Sequence, residues 1–172
     1  MQNITFFGTA VVAAVVALAN PVRADDQKPA DFAVTTCLDS IGDLSKVDAI
    51  AKEQNWQAKS EKERSSDFQI KSQWDVAREG QRFAVLTGTG TVKGLGASNV
   101  CMVMFAEPRE MAQDFVRRIS ASVSLKVFAE LKLPVGRMDM HEVEKNDGKK
   151  TILQVMSNND GRVFVASVIG AQ

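Results

Sequence analysis

The fold is decided by the stretch from Phe68 to Phe105, which reads FQIKSQWDVAREGQRFAVLTGTGTVKGLGASNVCMVMF. Its first part alternates polar residues with the apolar side chains of Phe68, Ile70, Trp74 and Val76. A period of two is typical of a strand with one buried face. Glu79 and Gly80 then supply a turn, and apolar runs at residues 82–87 and 99–105 predict two further strands. The stretch therefore predicts three consecutive antiparallel strands joined by hairpins.

A helix is expected on each side of this stretch. Apolar residues recur every three to four positions over residues 38–55, which is the spacing of an amphipathic helix. A second helical stripe begins at Glu107 and Pro108 and continues to Leu133 and Pro134. Proline is tolerated in the first turn of a helix and ends a helix elsewhere. Ser120 to Ser124 are poor helix formers, so a kink or two shorter helices are alternatives there.

Three more strands are predicted at residues 137–145, 151–157 and 162–169. The segments between them, residues 146–148 and 158–161, contain the Asn, Asp and Gly residues that tight hairpins favour. The element order is thus αβββ-αβββ, an α+β fold with helices packed on an antiparallel sheet. This order argues against a doubly wound nucleotide-binding fold, and no matching residues between the halves establish a duplication.

The N-terminal segment predicts export. Residues 4–19 are mostly apolar or small, Pro21 follows, and Val22-Arg23-Ala24 fits a cleavage site, so we expect residues 1–24 to be removed after Ala24. Cleavage after Ala19 and an uncleaved anchor are the alternatives. We expect a flexible arm at residues 25–36, a single α+β domain at residues 37–172, no stable membrane span after cleavage, and a periplasmic or secreted location.

Charge limits the classes of partner. The chain has 21 basic and 21 acidic residues, and Arg23 is the only charged residue in the predicted signal. Binding to nucleic acid or to anionic membranes needs a basic face, so this balance argues against both.

The two cysteines, Cys37 and Cys101, are expected to form one disulfide in an oxidising compartment. Two separate thiols or a redox pair are the alternatives, and the absence of a Cys-x-x-Cys motif weakens the redox interpretation.

A glycine-rich segment is the predicted interaction loop. Residues 87–96 read TGTGTVKGLG, and the candidate binding residues are Gly88, Gly90, Lys93, Gly94 and Gly96. The segment lacks the Gly-Lys-Ser/Thr ending of a phosphate-binding loop and precedes a strand, whereas such loops precede a helix. A flexible hairpin connection that contacts a partner is the favoured interpretation.

Methionine pairs raise the possibility of copper binding. Met102 and Met104 share one strand face, and Met138 and Met140 share another. Thioethers are soft ligands for copper(I), so a site would have to combine all four sulfurs. Methionine also fills hydrophobic cores without any metal, which is the more common role.

The single histidine, His141, is the only candidate general base with an ordinary pKa near neutrality. We expect it to face solvent on a hairpin. A small exported hydrolase would have to combine it with carboxylates, for which the sequence offers Glu107, Glu110, Asp114, Glu142 and Glu144. No Gly-x-Ser-x-Gly motif supplies a nucleophile.

These observations predict a non-enzymatic exported protein that binds a protein or another envelope component, with no catalytic residue, cofactor or metal. The hydrolase based on His141 and the methionine copper site are the alternatives. The sequence does not predict an oligomeric state.

Overall fold

The computed structural model describes residues 28–59, 68–145 and 148–172. Within these residues there are three helices: α1 (Pro29–Ser40), α2 (Ser45–Glu53) and α3 (Ala112–Ile119). The strands are β1 (Gln57–Ala58), β2 (Phe68–Arg78), β3 (Gln81–Val92), β4 (Gly96–Phe105), β5 (Leu125–Leu133), β6 (Gly136–Val143), β7 (Thr151–Asn158) and β8 (Val163–Ala171). The predicted signal, residues 1–24, lies outside the described residues.

All eight strands form one antiparallel sheet in the order β1-β2-β3-β4-β8-β7-β6-β5. Strands β1 to β4 follow one another as a meander, and β5 to β8 form a second one. The two meanders join where β4 pairs with β8, with Cys101 opposite Val168. This long-range pairing places the last strand of each meander side by side at the centre of the sheet.

The predicted αβββ-αβββ arrangement is wrong. The described residues form mainly a single eight-stranded sheet with three short helices, because the second predicted helix ends at Ile119 and residues 125–133 form β5. A β-bulge explains the misreading: Val127 pairs with His141 while Ala129 pairs with Met140, so Phe128 is an extra residue. A bulge interrupts the period of two and leaves apolar residues at a helix-like spacing.

The N-terminal helical region also differs from the expectation. Residues 29–36, expected as part of a flexible arm, belong to α1, where Ala33 and Val34 are fully buried. Pro29 occupies the first turn of α1, a position that proline tolerates. The single helix expected over residues 38–55 is interrupted at residues 41–44, which include Gly42, before α2 begins.

The hydrophobic core lies between the helices and one face of the sheet. Phe115 of α3 is fully buried and contacts Phe105 of β4 edge-on, with ring centroids 6.2 Å apart. The predicted disulfide between Cys37 and Cys101 is present and joins α1 to β4, with a Cα–Cα distance of 5.5 Å. Both cysteines are buried. The disulfide therefore fixes the first helix to the middle of the sheet.

A cluster of three charges joins the helices at one end of this layer. The Arg118 guanidinium on α3 lies 2.6 Å from the Asp31 carboxylate on α1, and it also pairs with Glu110, just before α3. The two acidic side chains are largely buried. Buried charges are stable when they are paired, so Arg118 holds α1 against α3.

Candidate functional site

The two faces of the sheet differ in what covers them. Cys101 points to α1, since it is bonded to Cys37, and Val103 and Phe105 follow it on the same face. Side chains alternate along a strand, so Met102 and Met104 point to the opposite face. No helix of the described residues lies on that side, because α1, α2 and α3 all contact the face that contains Cys101.

We call this uncovered side the open face. Its centre comprises nine positions on β4, β8 and β7, which the strand pairing brings into register: Val100, Met102, Met104, Val165, Ser167, Ile169, Ile152, Gln154 and Met156. None of the nine is charged. Met138 and Met140 of β6 continue the surface. The open face is thus apolar at its centre, with five methionines.

Burial varies across the open face. Val100, Ile152, Ile169 and Ser167 are buried, whereas Met102, Met104 and Met156 are partly exposed. Charged residues flank the nine positions. Glu142 of β6 lies beside Ile152. The ion pair between Lys59 and Asp75, 3.1 Å apart, lines a cavity of about 520 Å³ beside Met104. An apolar centre with a charged margin is the usual anatomy of a protein interface.

The predicted interaction loop is mostly strand. Gly88 and Gly90 lie inside β3, and only residues 93–95 form the turn, with Gly94 at φ +86° and Gly96 at φ +76°. Gly88 has a packing role, because a Cβ there would lie 2.3 Å from the Gln69 carbonyl oxygen and 2.7 Å from the Phe68 ring. Its hydrogen therefore lets Phe68 lie against the open face. Contact of Lys93 with a partner stays a prediction.

The structure separates the methionines of the copper hypothesis. Met102 and Met104 lie on β4, and Met138 and Met140 lie on β6, with β8 and β7 between them. Three strand spacings amount to about 14 Å, far beyond the span of one metal ion. The Gln154 amide nitrogen donates to the Met140 sulfur at 3.6 Å. The two pairs lie on the same face of the sheet, but the four sulfurs do not form a common site.

His141 lies on the helix-covered face, between Val127 of β5 and Leu153 of β7. It is only 7% exposed, so the expectation of a solvent-facing histidine is wrong. Its Nε2 is buried and has no hydrogen-bond partner among the described residues. Burial lowers the pKa of His141 below its ordinary value, while Asp139 and Glu130 oppose that change. The imidazole is therefore neutral at physiological pH.

A cleft of about 380 Å³ between α3 and strands β5 and β6 is lined by His141. The acidic groups beside it are Asp139 and Glu130, which the sequence reasoning missed. Asp139 could have been found two positions before His141 on the same strand face, but Glu130 reaches the cleft only because β5 is a strand. The Arg137 guanidinium pairs with both carboxylates, at 3.0 Å from Glu130.

The carboxylates predicted for a hydrolase do not gather around His141. Glu107 pairs with Arg109, Glu110 with Arg118 and Asp114 with Arg117, while Glu144 accepts a hydrogen bond from the Ser124 hydroxyl. Glu142 lies on the opposite face of β6 from His141. Ser120, the only hydroxyl residue among those lining the cleft, donates to the Arg117 carbonyl oxygen at 2.8 Å. The cleft thus brings a neutral base to ion-paired carboxylates without an activated nucleophile.

Comparison with known proteins found no matching family model, no similar curated protein and no similar solved structure. Among the described residues, no helix has both the length and the apolar character needed to cross a membrane. No group of three or more His, Cys, Asp or Glu side chains in the same residues is arranged to hold a metal ion.

Proposed function

We propose that the protein is an exported, non-enzymatic binding protein of the cell envelope that holds an apolar surface of a protein partner on its open face. The observation that carries the proposal is that five uncharged positions of the open face are partly exposed and that no described helix covers them: Met102, Met104, Gln154, Met156 and Val165. Large contiguous apolar surfaces that lack a covering layer mark interaction sites. The buried disulfide fits an oxidising compartment and supports the export part of the proposal.

The chemistry of the open face favours a protein partner. A small apolar ligand needs a cavity that encloses most of its surface, whereas a sheet face without a second layer leaves one side of the ligand in water. Methionine side chains are flexible and polarizable, so Met102, Met104 and Met156 can adapt to the shape of a protein surface. Gln154, which is partly exposed, supplies a hydrogen-bonding group among them.

Site-specific photocrosslinking in the native host tests the proposal. A photoreactive p-benzoylphenylalanine is introduced at Gln154, on the open face, and in a matched strain at Gln113, an exposed residue of α3. We expect one discrete adduct with another protein from position 154 and none from position 113. Mass spectrometry of the adduct identifies the partner, and the N-terminus of the recovered protein tests the cleavage after Ala24.

A matched pair of substitutions then tests the surface itself. Met156→Glu places a charge at the centre of the open face and is expected to abolish the adduct at position 154. Met111→Glu makes the same change at an exposed methionine outside the open face and is expected to leave the adduct intact. Urea unfolding of both variants checks that they fold. Absence of an adduct at position 154, equal adducts at both positions, or an adduct that survives Met156→Glu would refute the proposal.

A further inference from the structure

The two edges of the sheet are different. On one side the edge strand is β1, which has two residues, Gln57–Ala58. On the other side it is β5, which has nine residues, and its outer backbone groups face no other strand of the described residues. A long exposed edge strand is a template for pairing with another chain, so natural proteins usually shorten or charge such edges.

The β5 edge also concentrates exposed apolar side chains. Among the described residues, four of the five large hydrophobic side chains that are exposed lie on β5 or in the turn after it. They are Val127 at 62%, Phe128 at 51%, Leu131 at 47% and Val135 at 60% exposure. Single exposed apolar residues are ordinary, but a cluster along an unpaired strand indicates a contact surface.

We propose that the β5 edge pairs with β5 of a second copy of the chain, antiparallel, about a two-fold axis that passes through Leu131. The bulge at Phe128 leaves residues 129–133 as the regular half of the strand. A register centred on Leu131 uses this regular half. A register centred on Phe128 would place both bulges at the axis, where they disrupt pairing.

Charge complementarity supports the second copy as the occupant. In the register centred on Leu131, Glu130 of each copy lies directly opposite Lys132 of the other, so the contact contains two pairs of opposite charges. Leu131 faces itself across the axis. Opposite charges at facing positions stabilise an antiparallel pair, and facing apolar residues do the same. A contact about a two-fold axis uses the same surface of both copies, so that surface must be complementary to itself, and the sequence of β5 meets this requirement.

The same register accounts for the other exposed apolar residues. Beyond the regular half, Val127 and Phe128 at the bulge of each copy come near the turn of the other copy that contains Pro134 and Val135. All four exposed apolar side chains thus gain apolar neighbours. The two sheets become one continuous sheet, and the two open faces lie side by side on it.

Sedimentation equilibrium of the purified protein over a range of concentrations tests this inference. We expect a dimer, and we expect Lys132→Glu and Glu130→Lys each to raise its dissociation constant about tenfold, because each places like charges opposite one another twice. An equimolar mixture of the two variants is expected to regain the wild-type dissociation constant, since opposite charges face each other again in the mixed dimer. Glu130→Lys also removes the ion pair with Arg137 within one copy, and recovery on mixing separates that effect from the contact between copies.

Two further variants complete the experiment. Leu131→Lys places two charges at the axis and is expected to leave a monomer. Lys46→Glu makes the same charge change as Lys132→Glu at an exposed residue of α2 and is expected to leave the dimer unchanged. Circular dichroism checks the fold of each variant. The inference is overturned by a monomer at every concentration, or by a dimer whose dissociation constant is unchanged by Lys132→Glu and Leu131→Lys. It is also overturned if the dissociation constant of the mixture is as high as that of each variant alone. A monomer that pairs β5 with a strand of a different protein also overturns it.

Discussion

Breaking the disulfide between Cys37 and Cys101 is expected to lower the free energy of unfolding by about 4 kcal/mol. The bond closes a loop with a sequence separation of 64 residues, and the chain-entropy model assigns a loop of this length about 4 kcal/mol. Both cysteines are buried, at 1% and 0% exposure, so their sulfurs also contribute packing. Domains of this size are stable by about 5–15 kcal/mol, so the bond supplies a large share of the total.

The assay is urea unfolding of the oxidised protein, of the protein under a reductant, and of the double variant Cys37→Ala/Cys101→Ala. We expect the reduced protein and the variant to lose stability by similar amounts, with the variant slightly lower because it also lacks the two sulfur atoms. Hydrogen exchange should rise first in α1, since the bond ties that helix to β4. If the oxidised and reduced proteins unfold at the same urea concentration, the reasoning from loop closure is refuted.

Three further predictions concern single residues. Gly88→Ala is expected to lower the free energy of unfolding by about 2 kcal/mol, since the new Cβ would meet the Gln69 carbonyl oxygen at 2.3 Å. Gly42→Ala is the control, because no atom of the described residues lies within 4 Å of a Cβ there, and equal urea midpoints for the two variants would contradict the packing argument. Arg118→Met is expected to lower the free energy of unfolding by about 3 kcal/mol, because it leaves Asp31 and Glu110 buried without a counter-charge. Arg117→Met, which removes an exposed pair with Asp114, should cost less than about 0.5 kcal/mol, and similar losses in thermal unfolding would argue against a buried cluster. Burial lowers the pKa of His141 below its ordinary value of 6.5. The contribution of His141 to the free energy of unfolding is therefore fully present above pH 6.5, and it declines as the pH falls from 6.5 toward the lower pKa of the folded protein. Urea unfolding of His141→Gln at a series of pH values should lack this decline, and an unchanged pH dependence would refute it.

Several features were readable from local sequence because their signals are local. The alternation of Phe68, Ile70, Trp74 and Val76 predicted β2, and the later strands except β5 were placed close to their observed positions, apart from the second half of β3, which was predicted as a loop. The disulfide followed from two cysteines in a chain with a predicted export signal, and the structure contains it. Alternation along strands predicted that Met102 and Met104 share a face and that Met138 and Met140 share a face, whereas strand pairing decided that both pairs lie on the same side of the sheet.

The strand β5 and the site it forms could not be read in the same way. The spacing of Val127, Phe128 and Leu131 fits a helix as well as a bulged strand, and only pairing with β6 decides between them. For this reason the sequence did not predict that Glu130 lines the cleft beside His141. Strand order could not be read from the sequence either, and it separates the methionines of the copper hypothesis, because β8 and β7 lie between the two pairs.

The sequence by itself determined which segments form most of the strands, the alternation of side chains along them, the near-neutral charge and the partners for a single disulfide. These properties depend on residues close in the chain or on residue counts. The tertiary structure alone decided that β4 pairs with β8, that β5 is an exposed edge, that His141 is buried, and that one face of the sheet has no described helix upon it. Each of these depends on contacts between residues distant in the chain, and local sequence patterns do not predict the free energy of such contacts.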